Sequence, residues 1–80
     1  MTEAQPPGAA QPVRAPTVLT ARERQVAALL AHGLTNRQIA ERLVITERTV
    51  ASHIEHILEK LGFASRHQVG AWVVEHDLLG

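Results

Sequence analysis

The residues with chemical potential in this chain lie close together and are mostly histidines, hydroxyls and carboxylates. His53, His56 and Glu59 stand three apart, a spacing that puts all three on one side of a helix. A metal centre built there needs a further ligand and a supporting shell of hydrogen bonds that orient the imidazoles. Ser52 next to His53, and Ser65 two before His67, pair a hydroxyl with an imidazole only on paper, because close neighbours on a helix do not face each other. No glycine-rich loop is present to cradle a phosphate. The chain has no cysteine, which excludes disulfides and thiolate metal sites. No catalysis, no metal and no cofactor is expected.

A different group of polar residues has a more definite purpose. Thr20 with Glu23, Thr35 with Gln38, and Ser65 with Gln68 each form a hydroxyl followed three residues later by an acid or amide. That is the capping-box pattern, in which the hydroxyl accepts a first-turn N–H and the later residue reaches back to the cap. Thr46 is a fourth hydroxyl cap, but Thr49 stands where the acid or amide would be. Four helices follow, over about 21–32, 36–43, 47–61 and 66–76. Gly33 and Gly62 stop the first and the third. Nothing alternates with period two, so the fold class is all-α, a four-helix bundle.

The caps at Thr35 and Thr46 are eleven residues apart. This leaves room for about two turns of helix and a three-residue turn, the layout of a helix-turn-helix. Leu34 with Ile39, and Ile45 with Val50, bracket the two caps as hydrophobic staples. In the third helix Val50, Ile54, Ile57, Leu58 and Leu61 recur at helical spacing. Opposite that stripe stand Arg48, Ser52, Glu55, His56 and Glu59, with Thr49, Ala51 and His53 on its flanks. A helix held on one side and bare on the other suits the major groove, where its first turns approach base edges. Arg reads guanine, and Ser and Thr reach bases or phosphate. Thr35, Asn36 and Arg37 open the second helix, where free N–H groups and the Arg charge favour a phosphate. The bland alternative, a merely solvated face, is weakened by two stapled and capped helices at this spacing.

Leu19–Gly33 (LTARERQVAALLAHG), Leu34–Ala40 (LTNRQIA), Ile45–Val50 (ITERTV), His53 and Lys60–Gly62 (KLG) together resemble the C-terminal, GerE-like DNA-binding domain of LuxR/FixJ-type bacterial transcription regulators. The resemblance covers nearly all of residues 19–79. It implies a DNA-binding output domain whose third helix enters the major groove. Double-stranded DNA is then the partner; the residues expected to face it are Thr35, Asn36, Arg37, Thr46, Arg48, Thr49, Ala51, Ser52, His53 and Glu55, although the family's basic contacts cannot be carried over to Ala51 or Glu55. The resemblance also implies a fourth helix that dimerises and a sensor or ATPase module upstream in a parent chain. In this family His53 is part of the ordinary pattern. Ala51 and Glu55 depart from it: the family commonly has Lys at the first position and a polar or basic residue at the second.

The fourth helix carries Val69, Ala71, Trp72, Val73 and Val74 around most of its circumference. Val69, Val73 and Trp72 are expected to be shared between the core and a two-fold interface, with Gly70 admitting a partner helix. The competing expectation is a helix buried in its own small core. A two-fold dimer would set two recognition helices roughly 34 Å apart on a palindromic site.

Composition sets the limits. Eighty residues allow one domain. Pro6, Pro7, Pro12 and Pro16 all fall in residues 1–18, which read as a disordered tail or linker before a folding unit over 19–80. No stretch suggests a membrane span, and a reducing, cytoplasmic setting is expected. Within 19–80 the basic residues are Arg22, Arg24, Arg37, Arg42, Arg48, Lys60 and Arg66; the acidic ones are Glu23, Glu41, Glu47, Glu55, Glu59, Glu75 and Asp77. This balance is unlike a strong non-specific DNA binder. With Ala51 and Glu55, it supports an alternative: a dimerisation or protein-interaction module that keeps the fold and binds DNA weakly on its own.

Overall fold

A computed structural model of the chain describes residues 18–77. Apart from Val18, the expected tail over 1–18 lies outside the described residues. Four helices follow in order: α1 (Ala21–Ala31), α2 (Asn36–Leu43), α3 (Glu47–Leu61) and α4 (Arg66–Glu75).

The caps determine where these helices begin. Thr20 Oγ1 accepts the Glu23 N–H at 3.1 Å, and Glu23 Oε1 accepts the Thr20 N–H at 2.9 Å. Thr35 and Gln38 repeat the exchange at 3.2 and 2.8 Å. Thr46 takes the Thr49 N–H at 3.1 Å, and the two threonine hydroxyls bond each other at 2.8 Å, an exchange between side chains rather than the return bond to the cap N–H that an acid or amide makes. At α4 the box is arranged, but its hydroxyl arm makes no cap hydrogen bond. Gln68 Oε1 instead accepts two N–H groups, from Ala64 at 2.7 Å and Ser65 at 3.1 Å.

The stops share one device, a residue in the left-handed region just past the helix. Gly33 (φ 87°) and Gly62 (φ 70°) serve α1 and α3 as their sequence position predicts. Bonds from Leu34 N–H to the Leu29 carbonyl (3.2 Å) and from Phe63 N–H to the Leu58 carbonyl (2.9 Å) close the two turns. His32 and His76 stand at C-caps, so α1 and α4 each end one residue earlier than expected. Val44 (φ 58°) and Asp77 (φ 55°) do the same for α2 and α4 without glycine's freedom. For a β-branched valine this backbone is an outlier, and Val44 is also 89% exposed.

The core is built from Val26 and Ala27 of α1, Ile39 and Ala40 of α2, Val50, Ile54, Ile57 and Leu61 of α3, and Val69, Trp72 and Val73 of α4, with Leu19 at the threshold of α1. Each large aliphatic side chain fully buried contributes roughly 1.5–3 kcal/mol. Four of them on α3 therefore fix which side of that helix faces inward. Both staples are present in this arrangement: Ile39 and Val50 are fully buried, and half-buried Leu34 and Ile45 pack on the core. α1 packs chiefly on α4, and α2 on α3.

One expectation is revised here. Val69, Trp72 and Val73, expected to be shared between the core and a two-fold interface, are 0%, 4% and 0% exposed, so the intramolecular core takes nearly all of their surface. The helix that approaches Gly70 belongs to the same chain: a Cβ placed there would lie 3.7 Å from Ala31 Cα. The physical reason is size. A domain this small has few large apolar side chains, and α4 must supply three of them to close the core.

Candidate nucleic-acid interface

With one side of α3 pinned, its other side is set by helical geometry. Arg48, Ser52, Glu55, His56 and Glu59 are exposed, and Thr49, Ala51 and His53 are half-buried on the flanks. This is the division expected from the helical wheel. Thr46, at the cap, is exposed as well, although its hydroxyl is occupied by Thr49. The first three turns thus present a guanidinium, a free hydroxyl and a carboxylate on one face, with Ala51 contributing a methyl group beside them.

The beginning of α2 is a second polar region. Thr35 and Arg37 are exposed and Asn36 is half-buried. The Gln38 N–H goes to the Thr35 hydroxyl and the Ile39 N–H to the Thr35 carbonyl. The N–H groups of Asn36 and Arg37 precede the first intrahelical bond and are suited to an anion. Arg37 Nε lies 3.5 Å from Glu41 Oε2, with side chains 77% and 68% exposed. Such a solvated pair is worth little and leaves Arg37 able to turn to another acid. The Asn36 side chain is less free than its sequence position suggests, because its Oδ1 accepts from Arg66 Nη2 at 2.6 Å. That bond brings an α4 guanidinium to the start of α2, and no local pattern could have revealed it across thirty residues.

The other link missed by sequence reasoning holds α3 from behind. Glu23 is 4% exposed. Besides completing the α1 cap, its Oε1 lies 2.7 Å from Lys60 Nζ in the last turn of α3. Burial pushes the carboxyl up; the Lys60 ammonium and the Thr20 N–H outweigh burial, so its pKa stands below the ordinary glutamate value. One carboxylate thus ties the beginning of α1 to the end of α3. A Glu in a first turn and a Lys in a last turn are sequence-legible separately, but their meeting is a property of the fold.

The exposed side of α4 consists of His67, Ala71, Val74 and Glu75, with Arg66 and Gln68 at its start. Val74 is 58% exposed. Between α4 and the end of α1 runs a largely apolar groove lined by Leu30, Ala31, Leu34, Gly70, Ala71 and Val74 among others. No helix among the described residues is long and apolar enough to cross a membrane.

Comparison with known proteins agrees with this architecture. Over 55 residues the chain is 49% identical to the nitrate/nitrite response regulator protein NarL of Escherichia coli K12, covering 69% of this chain and 26% of NarL. Over 57 residues it is 42% identical to the DNA-binding transcriptional activator DevR/DosR of Mycobacterium tuberculosis, covering 71% of this chain and 26% of that protein. Over 59 residues it is 46% identical to a putative HTH-type transcriptional regulator, Mb0914c, of Mycobacterium bovis, covering 74% of this chain and 7% of that one. The chain therefore spans about a quarter of the length of the first two relatives and 7% of the third. The pattern of the bacterial regulatory proteins of the luxR family matches residues 17–73, which takes in all of α1, α2 and α3 and most of α4. The chain belongs to the luxR family of bacterial regulatory proteins.

Proposed function

We propose that this domain is the DNA-binding part of a bacterial transcription regulator, placing α3 in the major groove. The observation that carries the reading is the division of α3: its apolar side is buried while Arg48, Ser52 and Glu55 stand free. In this reading Arg48 and Ser52 approach base edges. Thr49, Ala51 and His53 line the groove wall, and Thr46 sits at the phosphate edge. The free N–H groups of Asn36 and Arg37, next to the Thr35 cap, hold a phosphate. The domain binds rather than catalyses, and it works in the cytoplasm, where the DNA is.

Assembly is part of the proposal. The relatives are several times longer than the matched region, which supports a sensor or ATPase module in a parent chain. A homodimer on a palindromic site would use the exposed side of α4, Ala71 and Val74, rather than the buried Val69, Trp72 and Val73.

Fluorescence anisotropy with labelled duplexes over a range of salt tests the reading. Few cations face the DNA, so binding at low salt should weaken with a shallow slope of log K against log salt, roughly −2 to −3. A folded chain that binds no duplex at low salt would overturn it. The balanced charge of the folding unit favours the second reading, a protein-interaction module, and that result would select it.

A further inference from the structure

A carboxylate stands in the middle of the α3 face offered to DNA. Glu55 is exposed and has no ion pair or hydrogen bond among the described residues. Acids on exposed helices are commonly matched by a cation three or four residues away. Here those positions are Ala51, Ser52, Leu58 and Glu59, so the carboxylate has no cation and one like charge. Glu41 and Glu23 differ, being paired with Arg37 and Lys60. Helical spacing puts Glu55 three residues beyond Ser52 and seven beyond Arg48 on the same exposed face.

We propose that Glu55 is a specificity-determining residue that accepts a hydrogen bond from the N4 amino group of a cytosine in the major groove. This role rests on the proposed docking of α3 and adds a base identity to it. An ionised carboxylate can only accept hydrogen bonds. The major groove offers two donors, cytosine N4 and adenine N6, and on adenine the donor sits beside the N7 acceptor, which repels a carboxylate. Guanine N7 and O6 and thymine O4 repel it outright. Arg48 has the opposite preference, because a guanidinium has no acceptor and matches guanine. At 1.5 Å of rise per residue the two side chains are about 10 Å apart along α3. The site should therefore carry a guanine and a cytosine about three base-pair steps apart. The same carboxylate lowers affinity for other DNA, so it acts by rejection as much as by attraction.

The test starts with selection of bound duplexes from a randomised pool by the whole chain. Anisotropy titrations follow on the selected site, with each base pair changed in turn, for the wild type, Arg48→Ala, Glu55→Ala and Glu55→Gln. Arg48→Ala locates the guanine. The wild type should prefer cytosine at one position about three steps from it by about tenfold. Glu55→Ala should bring that preference below about twofold while keeping the others, and Glu55→Gln should move it toward adenine. If Glu55→Ala raises affinity equally on every duplex and changes no preference, the carboxylate only repels phosphate and the inference is wrong. If no variant binds any duplex at low salt, the docking of α3 fails and takes the inference with it.

Discussion

α3 and α4 are both apolar enough to hold the domain together, yet they differ in how much of their surface remains for anything else. α3 keeps its apolar residues in one stripe: Val50, Ile54, Ile57 and Leu61 are buried while Arg48, Ser52, Glu55, His56 and Glu59 are exposed. In α4 apolar residues occur on all sides, and the fold selects Val69, Trp72 and Val73 for the core, leaving Ala71 and Val74 outside. The difference shows that a clean stripe determines both faces of a helix. A helix without a stripe shows only that part of it is buried; the packing against α1, at Gly70 and Ala31, decides which part.

The strongest test of this contrast is Trp72→Ala. If Trp72 is core, the substitution should cost roughly 3–5 kcal/mol, enough to unfold most of a small domain at any protein concentration. Circular dichroism in urea reads this directly. A variant that stays folded and loses only self-association would make Trp72 an interface residue and erase the distinction from α3.

Glu23→Gln addresses how α3 is anchored. Gln preserves the cap but not the ion pair with Lys60, and because Lys60 is partly solvated the loss should be about 1–2 kcal/mol near neutral pH. The folded-state pKa of Glu23 is depressed, so its contribution is complete above the ordinary glutamate value and is lost as pH falls through the folded value. Urea midpoints of the wild type and Glu23→Gln should therefore converge in acid and separate toward neutrality. A gap that does not change with pH would mean that the ion pair is not its source.

Val44→Gly sharpens the comparison at the turns. α3 is followed by a glycine in the left-handed region, whereas the turn that leads into α3 puts Val44 there. Relief of that backbone should outweigh the added entropy of glycine and raise stability by roughly 0.5–1 kcal/mol, read from the thermal midpoint. A loss of stability would show that the exposed valine side chain contributes more than its backbone costs. The smallest effect should come from Ala51→Lys. One added phosphate contact steepens the salt slope of DNA binding by about 0.9 and leaves folding unchanged. An unaltered slope would place residue 51 away from the phosphates.

Much of the fold was legible because local chemistry sets it. Hydroxyl caps began the helices, glycines ended two of them, and staples oriented α2 and α3. Where local chemistry is ambiguous the sequence misled or was silent. Ser65 resembles its fellow caps, yet Gln68 does the capping at α4. Val44 adopts a left-handed backbone that a β-branched side chain disfavours, because the turn demands it. The Glu23–Lys60 and Asn36–Arg66 links join residues 37 and 30 apart, and only tertiary packing brings them together. Within the candidate interface, the exposed face of α3 was readable from periodicity, whereas the occupation of Asn36 by Arg66 was not.

If the front of α3 and the start of α2 meet DNA, titrating the isotope-labelled chain with duplex at low salt should shift the backbone amides of residues 35–37 and 46–55 and leave those of the buried α4 residues unmoved. Shifts confined to α4 and the end of α1, with residues 46–55 unchanged, would rule that docking out.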